Sequence, residues 1–233
     1  MQMLGISSII EGFRTLVFPE QCLVCQSKSV PICLDCAQIW KSPAQKITFE
    51  NLMVYSSIPY GAQVSTVVLK AKEERIKTAQ KLIAQALARS LMAWHNEVNL
   101  KDYLLVPIPS SKPASRRRGG AFLHPILKQT IALCAKQGVA NLNWRELLLH
   151  KKRVKDQSKL SYLDRRENLQ DAFTLPKSSQ DLQRWMDVKV ILVDDVVTTG
   201  ATLLSAAKAL GERKMTVLGA ATACATAHQL LIR

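Results

Sequence analysis

The chain has 233 residues, 48% of them apolar, with a formal charge of +14 and a pI near 9.7. It is long enough for one α/β domain with a full core plus a small appendage, and too apolar to be a disordered chain. No run of about 18 apolar residues occurs, so no membrane insertion is expected. The basic balance favours polyanionic partners: nucleic acid, nucleotides or phosphorylated small molecules.

The first twenty residues place Ile6, Ile9, Ile10, Phe13, Leu16 and Val17 at helical spacing, and Glu11 and Arg14 interrupt any continuous apolar stretch. This pattern predicts a short amphipathic helix packed on the body rather than a signal peptide, and hence a cytoplasmic chain. Four of the six cysteines then follow as Cys22, Cys25, Cys33 and Cys36, spaced C-x2-C-x7-C-x2-C with Pro31 between the pairs. Each pair can turn its backbone so that two thiolates face one point, and two such knuckles build a tetrahedral S4 site suited to zinc. Four closed ligands imply a structural metal, on which folding of so small a module would depend. A pair of disulfides is disfavoured in a reducing compartment, and an iron–sulfur cluster is the minor alternative. Cys134 and Cys224 lie in the apolar segments IALCAK and ATACAT and are expected in the core. The predicted division is an N-terminal helix and four-cysteine module over 1–45 and an α/β domain over 46–233.

Along the second segment, 52–58 predicts a strand, Tyr60–Gly61 a turn, and the following residues a helix. Leu82, Ile83, Ala86, Leu87, Leu91 and Trp94 give 77–95 a helical period with a basic outer face. The segment 103–109 predicts a buried parallel strand. A basic loop, SSKPASRRRGG, and a helix from Phe122 come next, with Pro125 in its first turn. A short strand is expected over 146–150 and a mobile loop over Lys151–Asn168. A buried strand follows over 188–196, a helix over 202–213 and a last strand over 215–223. Strands alternating with helices predict a parallel sheet flanked by helices, an α/β fold.

The densest chemistry lies in VILVDDVVTTGATLL, Val190–Leu204. Ligands of open parallel sheets bind past the carboxyl ends of the strands, which is where Asp194 and Asp195 fall. The loop Val196–Ala201 offers successive N–H groups and small hydroxyls, and a helix begins near Thr202. Together they suit an anion. Gly200 permits close backbone approach. The carboxylates suit hydroxyl donors or Mg²⁺. A ribose 5-phosphate satisfies both halves. The stretch is neither a Walker A loop nor a G-x-G-x-x-G turn.

These residues closely resemble the thirteen-residue PRPP-binding motif of type I phosphoribosyltransferases. The order of the four-cysteine module, YGAQVSTVVLKAK, VPIPSSKPASRRRGG, RVKDQSKLSYLDRRENLQDAF and the acidic motif resembles the ComF family over nearly the whole chain. That resemblance implies a phosphoribosyltransferase type I-like α/β fold with a small N-terminal zinc-binding module. It also implies a link to natural competence, the uptake and handling of transforming DNA. By it, Asp194 and Asp195 would hold the ribose hydroxyls of PRPP. Thr198, Thr199, Gly200, Ala201 and Thr202 would hold its 5-phosphate, with Val196 and Val197 also among the PRPP-binding residues. Arg118 and Gly119 would belong to the pyrophosphate loop. Arg153, Gln157, Leu160, Arg165 and Asn168 would lie in the catalytic hood. The family usually carries R-G-F-N-Q after the basic loop, where this chain has Arg118-Gly119-Gly120-Ala121-Phe122.

The implied reaction is displacement at ribose C1 with pyrophosphate leaving and an oxocarbenium-like transition state, a pentosyl transfer assisted by Mg²⁺. Asp194, Asp195, Arg118 and Arg153 are its expected catalytic residues, with Lys70 and Lys72 as further pyrophosphate candidates. No residue presents itself as a general base, and the acceptor is not readable. A non-catalytic alternative uses the same fold as a PRPP or nucleotide sensor. It could also act as a single-stranded-DNA-binding scaffold partnering a DNA-uptake helicase. The basic runs favour backbone contacts, whereas 6% aromatic residues supply few stacking platforms.

Overall fold

The computed structural model describes residues 21–28, 30–98, 102–110, 112–117, 119–151, 172–176 and 185–226. The expected N-terminal helix lies outside these residues, as do Arg118, Arg153, Gln157, Leu160, Arg165 and Asn168.

The elements in chain order are α1 (Leu34–Gln38), a 3-10 turn (Ile39–Lys41), β1 (Gln45–Phe49), β2 (Leu52–Tyr60), α2 (Ala62–Glu73) and α3 (Lys77–Val98). They continue with β3 (Leu104–Pro107), α4 (Lys112–Arg117), α5 (Leu123–Lys136), β4 (Asn143–Trp144) and β5 (Leu149–His150). The last are β6 (Phe173–Thr174), β7 (Lys189–Val197), α6 (Ala201–Gly211) and β8 (Thr216–Thr226). Six strands form one sheet in the order β1-β2-β8-β7-β3-β4, and β5 and β6 form a separate antiparallel pair. Every pairing in the large sheet is parallel except β1 with β2. The fold is therefore α/β with a mostly parallel sheet flanked by helices, as the alternation predicts.

Alternate residues of the central strands feed two cores. Leu105, Ile191 and Val193 face α2, α3 and α5, where Val67, Leu87 and Ile126 meet them. Leu104, Val190 and Leu192 face α6 and the β5–β6 pair, where Leu203, Leu210 and Phe173 lie. Period-two burial on both faces explains why β3 and β7 are continuously apolar. Full burial of each such aliphatic side chain contributes about 1.5–3 kcal/mol relative to exposure. Trp94 fixes the back of the sheet: its indole N–H donates to the Ala220 carbonyl at 2.7 Å. Gly219 sits at a bulge between β7 and β8, where a Cβ would lie 2.3 Å from the Trp94 ring.

The structure departs from the sequence expectation in several details. β1 is an added edge strand, joined to β2 by a tight turn in which Glu50 takes φ 51°. The basic loop after β3 contains α4, where Pro113 stands near the helix start and its missing N–H costs nothing. The strand expected over 146–150 shrinks to Leu149–His150, because its partner is only the two-residue β6.

Candidate functional site

The site begins with the geometry of α2. Val64, Val67, Val68 and Ala71 bury one face of that helix against the sheet, which leaves Lys72 at the rim beside the carboxyl end of β7. Lys72 Nζ lies 2.6 Å from Asp195 Oδ2, and the Asp195 side chain is only 6% exposed. The ammonium also sits 5.4 Å from the centre of the Phe122 ring, within cation–π range. Asp194 is half-buried, and its Oδ1 accepts the Asp195 backbone N–H at 2.8 Å. Burial, then the neighbouring Asp195 charge, holds the Asp194 carboxyl well above the usual carboxylate range; Lys72 offsets this in part. One carboxylate thus has an internal cation and the other is held toward its neutral form.

Past β7 the chain turns through exposed Thr198 and Thr199 to Gly200, then enters α6. Gly200 has φ 76°, and a Cβ there would lie 2.4 Å from Phe49 Cγ. Glycine is required twice: for the left-handed backbone and for the close approach of β1. The Leu204 N–H bonds to the Gly200 carbonyl at 2.9 Å, so α6 starts at the turn itself. Its leading N–H groups and partial positive charge lie next to the acids.

These elements enclose a cleft of about 310 Å³, lined among others by Lys72, Ser110, Phe122, Asp194, Asp195 and Thr202. Of the residues expected there, Asp194, Asp195, Val196 and Thr202 line it. Thr198 and Thr199 are exposed on the turn, Ala201 is half-buried, and Val197 and Gly200 are buried. Gly119, at φ 66°, is exposed in the turn after α4, where its N–H bonds to the Arg116 carbonyl at 3.1 Å.

A smaller cavity of about 80 Å³ adjoins the cleft and shares Ser110 and Phe122 with it. His124 and Glu146 line it, with Nε2 and Oε1 2.6 Å apart, and the imidazole lies 4.8 Å from the Trp144 ring. This pair escaped sequence reasoning because its members are 22 residues apart and neither lies in a motif. His150 adds a second link, from its Nε2 to the Pro109 carbonyl at 2.9 Å. It ties β5 to the segment that follows β3.

At the other end of the described chain, the sulfurs of Cys22, Cys25, Cys33 and Cys36 all lie within 4.8 Å of one another. A tetrahedral thiolate site with metal–sulfur bonds of about 2.3 Å has sulfurs about 3.8 Å apart, so the cluster is compact enough to close on one ion. The knuckle is drawn in by the Cys22 N–H to the Ser27 carbonyl at 2.9 Å and the Leu23 N–H to the Pro31 carbonyl at 2.9 Å. Burial pushes the Cys22 thiol up, but the backbone amides of Cys33, Cys25 and Val24 outweigh it and bring it down to about 6. Burial and the three neighbouring sulfurs push Cys36 up to about 12. No disulfide joins the described cysteines, and Cys134 and Cys224 are buried in the core. The module is fastened to the body by Arg89 of α3, which donates to the carbonyls of Ser42 at 3.0 Å and Trp40 at 2.6 Å.

The family model described as the phosphoribosyl transferase domain matches residues 150–231. That span holds β7, the acidic turn, α6 and β8, and the match supports the expected phosphoribosyltransferase-type fold. No curated protein matches the chain. Among solved structures, adenine phosphoribosyltransferase of Saccharomyces cerevisiae is similar at 13% identity and a TM-score of 0.40, over 84% of this chain and 92% of that one. Hypoxanthine phosphoribosyltransferase of Staphylococcus aureus is similar at 16% identity and a TM-score of 0.35. There the likeness covers 63% of this chain and 65% of the other, slightly less than two thirds. Hypoxanthine phosphoribosyl transferase of Trypanosoma cruzi is similar at 14% identity and a TM-score of 0.39, over 70% of each chain. No helix among the described residues is long and apolar enough to cross a membrane.

Proposed function

We propose that the turn between β7 and α6 binds PRPP, or a related ribose 5-phosphate, in the manner of a type I phosphoribosyltransferase. The single observation that carries this is the cleft in which Asp194, Asp195 and Thr202 converge at a strand end, beside the start of a helix. The match of the phosphoribosyl transferase domain to the same residues supports it. Asp194 and Asp195 take the ribose hydroxyls, whose O–H groups donate to the carboxylates. Thr198, Thr199, Gly200, Ala201 and Thr202 take the 5-phosphate through backbone N–H groups and hydroxyls. Val196 and Val197 hold the turn in place from the strand side.

Oxygen donors of this kind suit Mg²⁺, which would accompany PRPP and neutralise charge on the departing pyrophosphate. Arg118, Gly119 and Arg153 serve the pyrophosphate, and Gln157, Arg165 and Asn168 belong to the catalytic hood. Ordered this way, the residues hold C1 in line between leaving group and acceptor and exclude water from it. The four cysteines hold a structural zinc ion. At the level of cellular role, the order of motifs supports a ComF-type protein of the cytoplasm acting in the handling of transforming DNA.

The test is thermal protection. Mg²⁺ with PRPP should raise the melting temperature by several degrees and ribose 5-phosphate by less, since both occupy the site but only one spans it. Absence of protection by either ligand would overturn the proposal. A second reading, a non-catalytic scaffold for single-stranded DNA that partners an uptake helicase, is favoured by the charge of +14. It requires DNA affinity that falls steeply with salt; affinity indifferent to salt would dismiss it.

A further inference from the structure

Lys72 and Asp195 are 123 residues apart in the chain and meet inside the cleft, at 2.6 Å. The pair is lopsided. Asp195 is 6% exposed, whereas Lys72 keeps 26% of its side chain open to the cleft it lines. A carboxylate so buried needs a cation or a hydrogen-bond donor, and Lys72 supplies the cation. The same oxygen is one that a ribose hydroxyl or a divalent ion would need. Lys72 therefore stands where a ligand must go.

We infer that Lys72 is an exchangeable counterion of the acidic pair. In the ligand-free protein it neutralises Asp195 and keeps free divalent cations off the two carboxylates. When an anionic sugar phosphate arrives, its hydroxyls replace the ammonium at Asp195 Oδ2 and the ammonium moves onto the ligand's anionic oxygens. The inference rests on the phosphoribosyl assignment of the cleft and deepens it, because it makes Lys72 the residue that selects an anionic ligand over a bare metal ion.

Two features support the exchange. The lysine hangs on the last turn of α2, whose inner face is anchored by Ala71 and Val68, so its long side chain can swing while the helix stays fixed. The Phe122 ring at 5.4 Å offers the ammonium a second resting surface within the cleft.

The test compares the parent with Lys72→Met and Lys72→Arg, each first checked for an unchanged circular dichroism spectrum. Mn²⁺ alone, followed by electron paramagnetic resonance, should bind the parent weakly and Lys72→Met at least about tenfold more tightly. Lys72→Arg should stay near the parent, and adding Asp195→Asn to Lys72→Met should abolish the gain. With Mg²⁺ saturating, PRPP should bind Lys72→Met at least about tenfold more weakly than the parent. Mn²⁺ affinity unchanged in Lys72→Met would overturn the shielding role. PRPP affinity unchanged in Lys72→Met would overturn the transfer to the ligand. Failure of the parent to bind PRPP is a separate result, which removes the phosphoribosyl assignment while the Mn²⁺ comparison still decides the counterion role.

Discussion

Four thiols converge near the N-terminus and two carboxylates converge at the end of β7. Both regions crowd potential negative charge into a small volume, and they differ in where the compensating cation comes from. At the cysteines no lysine or arginine among the described residues is paired with the sulfurs; one thiol is brought down to about 6 and another driven up to about 12, so a compensating cation would have to come from outside. At the acids the cation is built in, as Lys72. A closed set of soft ligands suits permanent occupancy, whereas an internal, displaceable cation suits a ligand that comes and goes. The first region is thus organised for stability and the second for exchange.

The largest expected effect breaks the first region. Chelation, or Cys36→Ser, should remove one equivalent of bound metal per chain and open 21–41 to trypsin; apparent folding energies of structural zinc are about 10–16 kcal/mol. Metal analysis with limited proteolysis reads both, and a module that stays protease-resistant without metal would contradict a structural ion. Gly200→Ala strikes the second region through its backbone. The left-handed φ and the overlap with Phe49 should together cost about 2–5 kcal/mol in urea unfolding. Adding Phe49→Ala should relieve only the overlap.

Arg89→Ala tests how the first region is joined to the body. Its loss leaves the Trp40 and Ser42 carbonyls short of donors, at a cost of about 1–3 kcal/mol by the same measurement. The smallest effect sharpens the comparison by pH. The Asp194 carboxyl is raised in the folded protein, so the stability it contributes is full below the usual carboxylate range and is lost as pH rises through its folded value. Asp194→Asn should therefore match the parent in acid and become the more stable protein toward neutral pH. Parallel melting curves across that range would contradict the burial penalty assigned to Asp194.

Much of this was legible beforehand where pattern and chemistry coincide. Continuous apolar runs located β3 and β7, helical period located α3, and the C-x2-C pairs located the sulfur cluster. The rest depended on partners distant in sequence. QKITF became β1 only because β2 offered it an edge, and α4 formed inside a segment whose proline, glycines and arginines read as loop. Lys72 was one candidate for the pyrophosphate, but its placement on Asp195 follows from how α2 docks on the sheet. The steric demand on Gly200 likewise comes from Phe49, which no local motif contains.

The central claim is that the acidic turn is a phosphoribosyl site, and calorimetry tests it most directly. Titrating PRPP with Mg²⁺ into the parent should give one saturable site per chain, and Asp194→Asn/Asp195→Asn, with its fold confirmed by circular dichroism, should give none. PRPP binding of equal affinity in the double variant would contradict the account.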